Sequence, residues 1–219
     1  MTNLPIIFQR SLLTIKQYGV TLRRITENDL ELLRYWRNQQ SVKIYMDYRD
    51  YITPSMQKKW FESVNNKFNY YFIIEFEGKQ VGLINAKNFS YENGFGEGGI
   101  FIWDKDYINS FAAVFSTLCL LNFVFFKVKL CTLSHARILN DNDRAIHYNQ
   151  LIGYKLAPGQ DGIYNQLYEL TLEDYIKNGH KLNKAAEQLN NGNGELIYTG
   201  TVSENNLDEI NNLLRTKSS

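Results

Sequence analysis

The chain has 219 residues, enough to bury a core of its own and close to the size of one domain with extensions. With 44% hydrophobic, 14% aromatic and 21% charged residues, it is neither disordered nor collagen-like. Lys and Arg number 24 against 23 Asp and Glu, so the formal charge of +1 offers no bulk electrostatic footprint for nucleic acid. Two cysteines, Cys119 and Cys131, cannot make a disulfide framework and fit a reducing compartment. The apolar run Leu4 to Phe8 lacks the charged, apolar, small order of a secretory signal. The longest apolar stretch, Phe111 to Phe126, is too short to span a bilayer and is interrupted by Ser116, Thr117 and Asn122. A cytoplasmic protein with no membrane or nucleic-acid partner is the expectation.

In chain order, Val20-Thr-Leu-Arg-Arg-Ile alternates like a strand, and Thr26-Glu-Asn-Asp29 opens a helix with Thr26 as its cap. Thr53-Pro54 starts a second helix, since proline at the first helical position loses no needed hydrogen bond. Tyr70 to Phe76 and Gln80 to Phe89, joined through Gly78, read as a hairpin. Asn93, Gly94 and Gly96 form the next loop, with a strand from about Gly98 to Trp103 after it. Phe111 to Phe126 has helical length and spacing. Leu130 to Leu139 reads as a strand, and Asp143 to Leu151 as a short helix that Gly153 ends. Tyr154 to Leu156 and Tyr164 to Leu170 are strands around the Pro158-Gly159 turn. Thr171 caps a further helical turn. Beyond it the composition shifts to Lys, Asn and Gly, with a strand predicted within Glu195 to Val202 and an amphipathic helix over Asn205 to Leu214.

This order narrows the architecture to a mixed α/β sheet with helices on its faces. Asn142-Asp-Arg-Ala145-Ile146, followed by Gly153-Tyr154, resembles the "N..AI......GF" signature of the GCN5-related N-acetyltransferases (GNAT). Leu22-Arg23, Thr26 to Leu30 and Tyr35-Trp36-Arg37-Asn38 resemble the "LR..t.eDle.l..WRN" opening of the branch typified by ribosomal-protein N-acetyltransferases. Val42-Lys43-Ile44-Tyr45-Met46 is similar to the "v.k.m" segment of relatives that act on nucleotide-activated amino sugars. The resemblance spans about Val20 to Tyr175. It divides the chain into an N-terminal extension (1–19), an acetyltransferase domain (20–177) and a C-terminal appendage (178–219). It implies a mostly antiparallel sheet of six to seven strands with helices on both faces.

The resemblance also implies transfer of acetyl from acetyl-CoA, as cosubstrate, to a primary amine by direct attack. Such chemistry must take a proton from the amine, hold the oxyanion and return a proton to the thiolate. In the family, backbone amides at a helix N-terminus take the pyrophosphate. Here the corresponding loop, Tyr107-Ile-Asn109-Ser110-Phe111-Ala112-Ala113, carries none of the family's glycines. Asn109 tolerates a left-handed turn, whereas the Phe111 ring stands where it would crowd the phosphates. Main-chain groups of Phe101, Ile102 and Trp103 would face the pantetheine arm, and Glu97 occupies the place of the family's general base.

The family's acidic Tyr falls on Asn149, one residue past Tyr148, so Tyr148 serves through a shifted helix, the thiolate takes its proton from water, or no acid is needed because a CoA thiol is itself fairly acidic. Asn142 reads as a CoA contact, as a helix cap, or as both. Trp36, Arg37 and Asn38 line the acceptor site, although an amphipathic helix end also explains Trp36. His135 and His147 lack metal-ligand spacing, so no metal is expected, and both cysteines read as core. The acceptor is a nucleotide-activated amino sugar, or else a protein N-terminus or small amine; a homodimer is compatible with the sequence. A rival reading is a non-catalytic scaffold, in which Phe111 fills the phosphate position and the cleft between Trp103 and Leu130 is closed.

Overall fold

Local sequence rules set the element boundaries. The computed structural model describes residues 13–200, so the apolar run Leu4 to Phe8 and the helix expected over Asn205 to Leu214 lie outside the described residues. Strands β1 (Thr14–Gln17) and β2 (Val20–Arg24) form a hairpin through Tyr18 and Gly19, both with positive φ. At Thr26 the main-chain N–H donates to Asp29 Oδ2 (2.7 Å) and the hydroxyl donates to the same oxygen (3.0 Å). A turn of 3₁₀ helix then leads into α1 (Leu30–Asn38) and the short α2 (Gln40–Lys43). Thr53 Oγ1 accepts from Met56 N–H (3.2 Å) and starts α3 (Pro54–Val64).

Burial alone would raise the Asp29 carboxyl. Its hydrogen bonds from Arg23 and from Thr26 outweigh that and hold it below the usual carboxylate range. Arg23 grips it with both terminal nitrogens, at 2.8 and 3.0 Å.

β3 (Tyr70–Phe76) and β4 (Lys79–Ser90) are joined by a two-residue turn in which Glu77 and Gly78 both have positive φ, the geometry that matches strand twist. β5 runs over Phe95–Ile102, beginning earlier than the glycines at 96, 98 and 99 predict. Gly96 and Gly99 are in the strand because side chains from β4 lie across it: a Cβ on Gly96 would sit 2.6 Å from the Phe89 ring, and one on Gly99 3.0 Å from Asn85 Nδ2. Helix α4 (Ala112–Asn122) continues into a π turn, Phe123–Lys127. β6 (Leu133–Leu139), α5 (Asp143–Ile152), β7 (Lys155–Leu156) and β8 (Asn165–Thr171) follow, with Gly153 at φ 117° ending α5.

Among the described residues the strands make one sheet in the order β7-β8-β6-β5-β4-β3-β2-β1-β9, in which only β5 and β6 run parallel. The expected six to seven strands become nine because β1 and β9 (Ile197–Thr199) extend one edge and the two-residue β7 the other. Helices cover both faces. On one, α4, its π turn and α5 bury Phe72, Leu118, Phe123 and Leu130; on the other, α1 and α3 bury Leu33 and Phe61 against Ile73, Leu83 and Trp103.

Helix α6 (Leu172–Asp174), a π turn over Tyr175–Gly179 and α7 (His180–Leu189) follow β8, and the chain then returns to pair β9 with β1. A network of carboxamides and phenols ties this segment down. Tyr18 donates to Asn183 Oδ1 (2.8 Å), Asn122 Nδ2 donates to the same oxygen (2.8 Å), Asn183 Nδ2 donates to Tyr175 OH (3.1 Å), and Tyr175 donates to Asn122 Oδ1 (2.9 Å).

Candidate active site

The parallel ladder between β5 and β6 is short. Phe95 to Gly98 pairs with Leu133 to Ala136, and beyond that register β5 stays with β4 while β6 stays with β8. The sheet therefore splits, leaving the main-chain groups of β5 that point away from β4 without a strand partner. A cavity of about 650 Å³ passes through the split and is lined from both faces of the sheet. One side is walled by α1, the loop after α2, α3, and the outward residues of β4 and β5. The other is walled by α4, α5 and the inward residues of β6.

Of the residues expected to act, the cavity brings together Arg37, Glu97, Phe101, Asn142 and Tyr148. Glu97 lies within β5, opposite Lys87 of β4, whose Nζ sits 2.7 Å from Glu97 Oε1. Tyr71 shares that face. Burial, with Glu97 nearby, pushes its phenol up to about 12, while Arg37 pulls the other way. Asn85 Oδ1 is buried there with no hydrogen-bond partner, its carboxamide lying flat over Gly99.

Arg37 is in the last turn of α1 and its Nε is buried and unpartnered. Burial lowers its pKa, and the nearby Tyr71 counters part of that. Its neighbours face elsewhere. Trp36 stacks on Trp103 at 6.0 Å, and Asn38 holds the loop before α3, accepting from Ile52 N–H (2.8 Å) and donating to its carbonyl (2.9 Å).

On the opposite face Asn142 caps α5 through Oδ1, which accepts from Ala145 N–H (3.1 Å). The Tyr148 hydroxyl lies 2.9 Å from the Ala113 carbonyl and 2.5 Å from Thr117 Oγ1, and burial raises its pKa. Ile102 packs on the α4 side of the core, and the Trp103 amide is taken by the Val81 carbonyl (2.9 Å). The loop Asn109 to Ala113 is outside the cavity lining. Its Ser110 Oγ accepts from Ala112 N–H (3.1 Å), and the first helical bond runs from Phe115 N–H to the Phe111 carbonyl (2.9 Å). The Phe111 ring lies back along α4 on Phe115, 5.3 Å away and nearly parallel. The N–H groups of the first turn of α4 have no carbonyl partner within the helix and lie at its positive end. Arg144 of α5 donates to the Ile108 carbonyl and brings a guanidinium to a loop that has none of its own.

The histidines and Cys119 are not among the residues that line the cavity, whereas Cys131 is. His135 faces Glu169 (3.3 Å) and Phe95, His147 is exposed, and burial pushes the Cys131 thiol up to about 12 and Cys119 higher. Among the described residues no group of His, Cys, Asp and Glu is placed to hold a metal, and no helix is long and apolar enough to cross a membrane. Sequence reasoning missed Tyr71, Asn85, Lys87 and Thr117. The signal for Lys87 was its place opposite Glu97 across the hairpin, while the others read as ordinary strand or helix interior.

Comparison with known proteins agrees with this geometry. The family described as acetyltransferase (GNAT) domain matches residues 20–155. An uncharacterised protein of Methanocaldococcus jannaschii is 27% identical over 160 residues, covering 70% of this chain and 31% of that protein, so the chain spans about a third of that relative. Among solved structures, a nucleotide-linked sugar GNAT in its apo form superposes with a TM-score of 0.64 at 22% identity, covering 77% of this chain and 96% of that one. A spermidine N-acetyltransferase from Vibrio cholerae, in complex with CoA and spermine, gives 0.62 at 16% identity over 72% and 98%. The family match runs through nearly every element that lines the cavity, and the chain belongs to the GNAT acetyltransferase family.

Proposed function

We propose that the chain transfers acetyl from acetyl-CoA to a primary amine carried by a nucleotide-activated amino sugar. The observation that carries this reading is the cavity through the split sheet, with Glu97 on one face and Asn142 and Tyr148 on the other. Bound acetyl-CoA supplies a thioester that the amine attacks, so that a C–N bond forms as the C–S bond breaks. The free side of β5 beyond Gly98 offers main-chain groups to an extended ligand arm, and the amides of Ala113 and Val114 face its phosphates. Glu97, held by Lys87, takes the amine proton directly or through one water. The Tyr148 hydroxyl donates to the Ala113 carbonyl and packs beside Thr117, so it positions the α4–α5 wall and the departing thiolate takes its proton from water. An open cleft with Phe111 folded away favours this reading over a scaffold role. The amino-sugar acceptor is supported by the similarity to the nucleotide-linked sugar GNAT and by half-exposed Tyr45 and Tyr48 at the cavity, which offer stacking surface.

The test is thiol release from acetyl-CoA across a panel of amines, beside calorimetric binding of CoA. Glu97→Gln is expected to lower kcat/KM by about 100-fold while leaving CoA affinity intact. Absence of acetyl-CoA binding at roughly 1 mM would overturn the reading in favour of a non-catalytic module.

A further inference from the structure

Arginines near α1 are engaged, with one exception. Arg23 holds Asp29 and Glu75, Arg34 holds Glu31, and Arg49 donates to the Met46 carbonyl and to Tyr164. Arg37 has no ion pair or hydrogen bond with any described residue, its Nε is shut off from solvent, and its side chain lines the cavity. A guanidinium stays charged under all assay conditions and presents five donors in a flat fork. The C-terminal end of α1 favours a positive charge, but it does not satisfy that buried Nε. The carboxylates within reach do not serve either. Glu97 is committed to Lys87 at 2.7 Å, and Asp47 is exposed. A guanidinium whose Nε is shut off from water and that has no counter-charge is costly, and a ligand that brings one gains what the protein withholds.

We propose that Arg37 anchors an anionic group on the acceptor, so that the site takes amines bearing a phosphate or carboxylate and rejects polycations. The inference rests on the amine-acetylation reading above. Asn85 Oδ1, buried and unpartnered in the same cavity, supplies an acceptor for a ligand N–H or O–H near that anion. The remaining lining charges agree: with Lys87 and Glu97 cancelling, Arg37 and Arg137 outnumber Asp47. A polyamine would need the reverse balance.

The experiment uses the full chain with CoA saturating, so that CoA's own phosphate sites are filled. Inorganic pyrophosphate, UDP, glutamate and spermine are titrated separately by calorimetry. At least one anion is expected to bind, spermine is not, and Arg37→Gln should weaken the anion about tenfold or more with CoA affinity unchanged. Arg37→Lys should restore part of the loss, because it keeps the charge and loses the fork. UDP or pyrophosphate binding without glutamate identifies a phosphate, and the converse a carboxylate.

Should Arg37→Gln unfold, Asn85→Asp gives an independent reading: a carboxylate beside the anchor should weaken the anion and admit spermine. Equal anion binding in wild type and Arg37→Gln, no anion binding up to roughly 10 mM, or preferential binding of spermine would each overturn the proposal. Arg37-dependent anion binding with no amine acetylated would overturn the transfer reading and leave the anchor standing. Acetylation that ignores the acceptor's charge would do the opposite.

Discussion

Asn142 has two duties that a single substitution separates. Its Oδ1 caps α5, and replacement by alanine should cost about 1 kcal/mol of stability, read from denaturant midpoints. Serine caps nearly as well but is shorter and lacks the amide. Asn142→Ser is therefore expected to keep the midpoint while weakening CoA binding several-fold; unchanged CoA affinity would reduce Asn142 to a cap. Asp29 gives a pH test. Its carboxyl lies below the usual range in the folded chain, so its contribution is complete above the unfolded pKa of about 3.9 and disappears as pH falls through the lower folded value. Asp29→Asn should cost about 2 kcal/mol at neutral pH, with the gap from wild type in thermal melts closing as pH falls below the unfolded value of about 3.9. A gap that stays constant through acid would mean that shape, not charge, holds the Thr26 turn.

Elements whose ends are marked by caps and turns were legible: the Thr26 and Thr53 starts, the Glu77-Gly78 hairpin and the Gly153 stop appear where the residues place them. Two kinds of feature were not. The start of β5 hides behind its glycines, because Gly96 answers to the Phe89 ring, a partner that only the fold of β4 brings across it. Edge strand β1 is short and acquires its strand character from β2 and from β9, a segment about 180 residues away, whereas β9 itself falls within the strand expected over Glu195 to Val202. The site divides the same way. Glu97 and Asn142 carry motif signals, whereas Asn85 and Tyr71 become visible only when both faces of the cavity are drawn together. At this scale the network around Asn183 makes a sharp prediction. Removing its carboxamide leaves Tyr18, Asn122 and Tyr175 each short of a partner, so Asn183→Ala should cost about 3 kcal/mol, and Asn183→Asp less because one acceptor remains. Chemical denaturation of the two variants checks the order.

Among the described residues, the cavity is lined both by the face of α1 and α3 and by the face of α4 and α5, so two ligands in the proposed transfer would approach from opposite sides. The split has a further consequence for the empty protein. Main-chain groups that face the gap lack a strand partner, as at a sheet edge. Amides of β5 beyond Gly98 that point into the gap should therefore exchange with deuterium far faster than those bonded to β4, and addition of CoA should slow the first set alone. The same ligand should raise the melting temperature and suppress aggregation on storage, acting as a missing strand that closes the sheet.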